Sequence, residues 1–297
     1  MKLAIGLDIG GTKIAAGIIT ETGELLHRAE VKSDTSDRGK MFESTAEAVE
    51  QVLETSFIST EEIAGIGVGV PGKVDRRNGI AIYQNNLPWE HFPVASRLRE
   101  RFGIEQIIVD NDVCMAAFAE WKDSQAKRPE TFVYMTVSTG IACAIIHQGS
   151  FLRGAGFAGE IGLIPVLADA KMERLEKAAA GPGIQRLAAK ELVYEGISTK
   201  DVFLGYANGS RDHQKIIEVA AHQIAQGIYS VSCLLDPHRM VFGGSVIVNN
   251  PFLLELIKGK LKDYQLPEQQ HLLDHMTISS MKQDNGIIGA GLRILDR

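Results

Sequence analysis

The segment Leu7-Asp8-Ile9-Gly10-Gly11-Thr12-Lys13 constrains this chain more than any other. An apolar strand over residues 2–8 runs straight into paired glycines, and the chain then alternates outward through Ile14, Ala16 and Ile18. That order predicts a β-hairpin with Asp8 at its mouth, where Gly10 and Gly11 leave the backbone open to a close-lying ligand. A carboxylate beside bare N–H groups suits a nucleotide phosphate and its magnesium ion. An ordinary turn would use the same glycines. The segment is not a Walker P-loop, which needs a spaced G-x-x-x-x-G-K-[ST] leading into a helix. Here Lys13 enters a second strand instead.

At 297 residues the chain has room for about two domains, each with its own core. Hydrophobic residues at 45% and charged residues at 23% fit a soluble globular protein. A net charge of −6 without a Lys/Arg run argues against nucleic acid as a partner. Cys114, Cys143 and Cys233 each lie in an apolar stretch. They are expected to be small core residues in a reducing compartment, forming neither a disulfide nor a metal site. Asp8 interrupts the first apolar run, and no 18-residue apolar stretch occurs. Neither a signal peptide nor a membrane span is therefore expected, which points to the cytoplasm.

Periodicity predicts strands near 2–8, 13–20 and 24–32, a helix at 40–56, a strand at 63–70, a helix at 92–102, a strand at 106–109 and a helix at 113–121. A polar crossing at 124–130 follows, and then the pattern restarts with strands at 131–137 and 141–147, so the halves read as weak repeats. Helices at 183–194, 213–235 and 251–262, strands at 239–243 and 275–281, and a closing helix at 286–296 complete an α/β chain with mixed sheets. Residues 163–182 carry no readable pattern.

Three further clusters carry chemistry. Asp110-Asn111-Asp112 sits at a strand-to-helix junction, where it can cap the helix or present a carboxylate that accepts a hydroxyl proton during phosphoryl transfer. Ser138-Thr139-Gly140 and Gly243-Gly244-Ser245 are each a phosphate-cradling turn or an ordinary one.

Taken together, these blocks resemble the ROK family (repressors, open reading frames and sugar kinases) over essentially the whole chain. Asp8 to Lys13 is similar to its first phosphate motif, and the segments 67–75 and 86–89 to its next two blocks. Asn111-Asp112 resembles the pair that holds the catalytic base, and the segment 136–141 the second phosphate motif. The sugar block is matched by 159–162, the adenosine block by 234–237 with 242–245, and the closing helix by 284–290.

The resemblance implies an actin-like, ribonuclease-H-like ATPase fold with two lobes, residues 1–118 with 282–297 and residues 119–281, and ATP and sugar between them. It implies Asp112 as base, Asp8 orienting magnesium-bound phosphate, and Gly10, Gly11, Thr12, Lys13, Thr139 and Gly140 at the phosphates. Gly243 and Gly244 would lie at the adenosine, with Asn86, Asn111, Asp112, Glu160 and Glu176 at the sugar. A homodimer is expected by the same analogy.

Many relatives follow the sugar block with a histidine and a four-ligand zinc loop. Here Leu163 stands at the histidine position and no cysteine lies between Cys143 and Cys233, so no zinc is expected. The glycine run after the second phosphate motif is replaced by Ala142-Cys143-Ala144. Trp89 is expected to pack at the cleft edge. His271 and His275 have metal-clasping spacing, but no third ligand or clear helix accompanies them.

The expected activity is ATP-dependent phosphorylation of a hexose, glucose O6 foremost, with N-acetylmannosamine or β-glucosides as alternatives. A sugar-sensing repressor of the same family needs a helix-turn-helix ahead of a phosphate strand that here starts at Leu3. A non-catalytic sugar binder would need neither Asp8 nor Asp112.

Overall fold

Two five-stranded sheets of one design organise the chain. In the computed structural model, residues 2–84, 86–168 and 170–296 are described. The chain divides into a first unit, 1–125 with 283–297, and a second, 126–282.

In the first unit β1 (Leu3–Ile9), β2 (Lys13–Thr20) and β3 (Leu25–Lys32) form an antiparallel meander, followed by α1 (Arg38–Ser56). β4 (Ile63–Val70) pairs parallel with β1. A separate small sheet holds β5 (Lys73–Asp75), β6 (Ile80–Tyr83) and β7 (Glu90–Phe92), ahead of α2 (Val94–Phe102). β8 (Ile107–Asn111) pairs parallel with β4 and leads into α3 (Asp112–Asp123).

The second unit repeats the meander with β9 (Thr131–Val137), β10 (Ile141–His147) and β11 (Ser150–Leu152). A hairpin of β12 (Pro165–Ala168) and β13 (Lys171–Arg174) precedes α4 (Leu175–Ala179), α5 (Gly181–Glu191), α6 (Thr199–Ala207) and α7 (Arg211–Leu235). Then come β14 (Arg239–Gly243), α8 (Ser245–Val248), α9 (Phe252–Lys262), α10 (His271–Asp274) and β15 (Met276–Ile278). The final helix, α11 (Asn285–Leu295), belongs to the first unit.

The sheet orders are β3-β2-β1-β4-β8 and β11-β10-β9-β14-β15. In both, a meander is extended by two parallel strands added beside its first strand. The repeat read from the restarting hairpin is thus a repeat of topology. The repeat also gives positions of β1, β2 and β4 counterparts in β9, β10 and β14.

α11 sits where it does because the first sheet offers it a bare surface. Gly17, Gly6 and Gly67 are register partners across β2, β1 and β4, forming a row without side chains. A Cβ at Gly6 would overlap Ile287 O, and one at Gly67 would overlap Ala290 O. Backbone therefore meets backbone, and Gly289 repeats the arrangement against Met115 O of α3. A side chain at Gly6 or Gly67 would lift the helix off the sheet.

Several expectations are revised. Trp89 is not an edge residue: it is 2% exposed, stacks on Phe92 at 4.7 Å and donates its indole N–H to Arg38 O. Cys143 is buried and Cys114 half-buried, but Cys233 lies on the exposed face of α7 rather than in the core. The segment 163–182 holds the β12–β13 hairpin, whose strands bury Val166 and leave Leu167 and Met172 outside. α6 is absent from the elements that periodicity predicts, although Ser198 and Asp201 cap it reciprocally, a signal present in the sequence. The boundary expected at 118 falls inside α3. His271 and His275 do meet at a helix, but their Nδ1 atoms engage the carbonyls of Glu268 and His271, and no cluster of three metal-ligating side chains occurs among the described residues.

Candidate active site

Sheet register assembles the acidic half-site of the first unit. Ala15, Asp8, Gly69 and Asp110 form one rung across β2, β1, β4 and β8. Gly69 adds no side chain between the two aspartates, and a Cβ there would lie 3.3 Å from Asp112 Cα. Glycine at that point is what lets the α3 start close down on β4.

At the start of α3, Asn111 takes the capping duty. Its Oδ1 accepts from Val113 N at 3.0 Å and Cys114 N at 3.3 Å, while its Nδ2 donates to Gly72 O at 3.2 Å. Asp110 is 2% exposed and accepts from Asn111 N at 2.8 Å. Capping by Asn111 leaves Asp112 as the first helical residue, with Val113 N donating to its Oδ1 at 2.9 Å. Burial raises the Asp112 carboxyl above its ordinary range, against the pull of hydrogen bonds from the backbone N–H groups of Val113 and of Asp112 itself.

Asp8 is the more perturbed of the two. Burial, then the charge of Asp112, raise it to about 7, while Lys13 works in the opposite direction. α11 ends its sheet crossing at this carboxylate: a Cβ on Gly286 would sit 2.7 Å from Asp8 Oδ2. The adjacent Asn285 donates to Glu120 of α3 at 3.0 Å and ties the two helices together there.

The β1–β2 turn is tight. Gly10 N donates to Lys13 O at 3.0 Å, and Ser33 holds the turn from outside through Gly10 O and Thr12 O. Gly11 abuts Asn86, whose carbonyl would lie 2.8 Å from a Cβ at that position. The first candidate phosphate turn and a candidate sugar residue are thus in direct contact. Thr12 is exposed, and the Lys13 ammonium is held by Glu30 and Gln283, each at 3.0 Å.

The half-site of the second unit follows from the repeat. Asp8 pairs with Ala15 and Gly69; Thr136 pairs with Ala142 and Gly243 in the equivalent places. Gly244, with φ +87°, lets the chain pass beside Thr136 Oγ1, 2.7 Å from where its Cβ would be. The hydroxyl of Tyr134 fills the space a side chain would need at Gly243.

The turn at Ser138-Thr139-Gly140 closes through Ser138 N donating to Gly140 O at 2.9 Å. Ser138 Oγ meets Ser245 Oγ at 3.0 Å, and Gly181 N at the start of α5 donates to Ser138 O at 2.8 Å. The turn at Ser138-Thr139-Gly140, the Gly243-Gly244 turn and the start of α5 therefore form one cluster. Glu176 joins it, its Oε2 being 3.7 Å from where a Cβ on Gly140 would stand. Gly162 packs on Glu176 in the same way, at 3.1 Å from its Cβ, while Glu160 lies exposed just ahead of Gly162.

The ROK family matches residues 4–296. The chain belongs to that family. It is 29% identical to a glucokinase of Halalkalibacterium halodurans, over 97% of this chain and 93% of that protein. It is 28% identical to an N-acetylmannosamine kinase of Shigella boydii, over 97% of each. The solved structure of a ROK hexokinase from Thermus thermophilus superimposes with a TM-score of 0.78 at 30% identity, covering 98% of this chain and 97% of that one. The mixed sheets flanked by helices are those of ROK sugar kinases, an actin-like ATPase fold.

Among the first-unit candidates, Asp8, Gly10, Gly11, Asn86, Asn111 and Asp112 thus converge, and among the second-unit ones Thr139, Gly140, Glu176, Gly243 and Gly244. Thr136, Ser138 and Ser245 lie inside the motifs read from the sequence without a role of their own, and Gly181 lies outside them. The first is found by mapping Asp8 through the repeat, the others only once the chain is folded.

Proposed function

We propose that this ROK protein transfers the γ-phosphoryl group of ATP to a hexose hydroxyl, with O6 of glucose the foremost acceptor. The observation carrying the reading is Asp112: relieved of capping by Asn111, it stands at a helix start beside Asp8. Phosphoryl transfer asks little of a protein beyond positioning, charge stabilisation and a group to take the acceptor's proton.

In this reading Asp112 accepts that proton as the hydroxyl attacks, and Asn86, Asn111, Glu160 and Glu176 hold the remaining sugar hydroxyls. Buried hydrogen bonds of this kind discriminate strongly between hydroxyl patterns. Gly10, Gly11 and Thr12 line the phosphates from the first unit, with Thr139 and Gly140 from the second, and Lys13 adds positive charge near Asp8. Gly243 and Gly244 offer bare backbone to the adenosine.

Magnesium needs only one or two protein carboxylates when phosphates complete its shell. The donor set fits: Asp8 is a carboxylate held near neutral by burial and by Asp112, a state that a nearby cation relieves. Bound magnesium would neutralise charge on the transferring phosphates, with Asp8 orienting it.

Leu163, 40% exposed where relatives carry histidine, puts an apolar side chain by the sugar block. N-acetylmannosamine, the substrate in the name of a relative 28% identical to this chain, and β-glucosides are the second choices. The acidic net charge speaks against nucleic-acid partners, the three separated cysteines fit a reducing compartment such as the cytoplasm, and family resemblance supports a homodimer. A coupled assay with ATP and magnesium over hexoses, acetamido-hexoses and β-glucosides tests the reading. Glucose as the best acceptor, yielding glucose 6-phosphate, is expected; no turnover of any sugar would overturn it.

A further inference from the structure

Ser33 lies one residue beyond β3, where the pairing of Lys13 with Lys32 and of Ile14 with Val31 sets it opposite Thr12. It is buried, and it grips the β1–β2 turn twice. Its N–H donates to Thr12 O at 3.1 Å, and its hydroxyl donates to Gly10 O at 2.6 Å. Behind it, Asp34 N donates to the buried Ser44 Oγ of α1 at 3.3 Å. The segment that holds the turn is thus itself anchored to a helix.

These bonds decide where the donors of the turn face. In a trans peptide the carbonyl and the N–H of the next residue point in opposite directions. With Gly10 O turned onto Ser33, the Gly11 N–H is turned away from β3. Among the described residues, no group accepts a hydrogen bond from Gly11 N–H or Thr12 N–H. Gly11 is half-buried and Thr12 exposed, so both donors sit where a ligand can meet them. Two adjacent backbone donors at a turn suit an anion.

We propose that Ser33 is a positioning residue for nucleotide binding, holding the Gly11 and Thr12 N–H groups toward the triphosphate of ATP. Ser33 acts through the turn, and it has this role only where the turn meets phosphate, as in the kinase reading above. Without the hydroxyl, Gly10 O has no fixed donor and the Gly10–Gly11 peptide is free to rotate. The donors then have to be ordered when the nucleotide arrives, which weakens its binding. The sugar does not meet these N–H groups in that reading, so its affinity is spared.

Calorimetric titration of a non-hydrolysable ATP analogue with magnesium into the full-length protein tests this without turnover. Ser33→Ala should weaken the analogue about fivefold, the worth of one neutral hydrogen bond. Ser33→Thr keeps a hydroxyl and should bind the analogue within about twofold of the wild type. In turnover, the KM for ATP should rise in Ser33→Ala while the KM for the sugar stays within about twofold. Equal losses for ATP and sugar would make Ser33 a structural residue only and overturn the proposal. An analogue affinity unchanged in Ser33→Ala, or unrestored in Ser33→Thr, would overturn it too. Those results leave the kinase reading standing, whereas wild-type protein that binds no analogue would overturn both.

Discussion

The Asp8 carboxylate lies against Gly286 at the start of α11, with 2.7 Å between Oδ2 and the point where a Cβ would stand. The row Gly17-Gly6-Gly67 brings the helix to that point, because nothing on those strands holds it away. The orphan N–H groups of a helix start face negative charge favourably. The site aspartate and the end of the chain are thus one structural element.

Gly286→Ala places a methyl group on that contact while slightly favouring the helix itself. Asp8 must move, so kcat should fall at least about tenfold, as for displaced positioning groups, with a small change in Tm. Steady-state kinetics and a thermal melt on the same preparation separate these. Wild-type kcat would show that the contact does not position Asp8.

Acidity follows from the two raised carboxyls. Since Asp8 titrates near 7 and Asp112 is also raised, kcat/KM should climb with pH through a limb near neutrality. Lys13→Gln removes a charge that holds Asp8 down and should shift the limb to higher pH. Stability runs the other way. An acid raised on folding binds more protons folded than unfolded, so stability falls as pH rises from about 4 to about 7. Asp8→Asn should therefore raise Tm at pH 8 and lose that gain near pH 4. Melts across that window check the sign.

Much of this was legible in the sequence. The hairpin at Asp8 to Lys13 announced itself because strand, glycine pair and strand are all local signals. The restart at Thr131 likewise revealed a repeat, and the repeat is the fold. Other features depend on neighbours distant in sequence. Gly67 looks like a weak strand position until Ala290 is seen lying on it, and Trp89 looks like an edge residue until Phe92 and Arg38 enclose it. The cap at Asn111 was read as an alternative to chemistry at Asp110-Asn111-Asp112, whereas Asn111 does the capping and leaves Asp112 for other work. The hairpin at residues 165–174 stayed hidden because its strands are four residues each and mostly exposed, too short for alternation to register.

Zinc offers a separate check. With Leu163 at the histidine position and no clustered cysteines, purified protein should contain no stoichiometric zinc by elemental analysis. Incubation with a zinc-selective chelator, followed by assay in excess magnesium, should leave kcat and Tm unchanged. One zinc per chain, or loss of fold on chelation, would contradict this.

The most direct test is Asp112→Asn, measured for both sugar binding and turnover. A general base contributes about 10²–10⁴-fold, so turnover should drop at least ~10²-fold while sugar affinity stays within about tenfold. Turnover near the wild-type rate in that variant would contradict the assignment of Asp112 as the group that takes the sugar's proton.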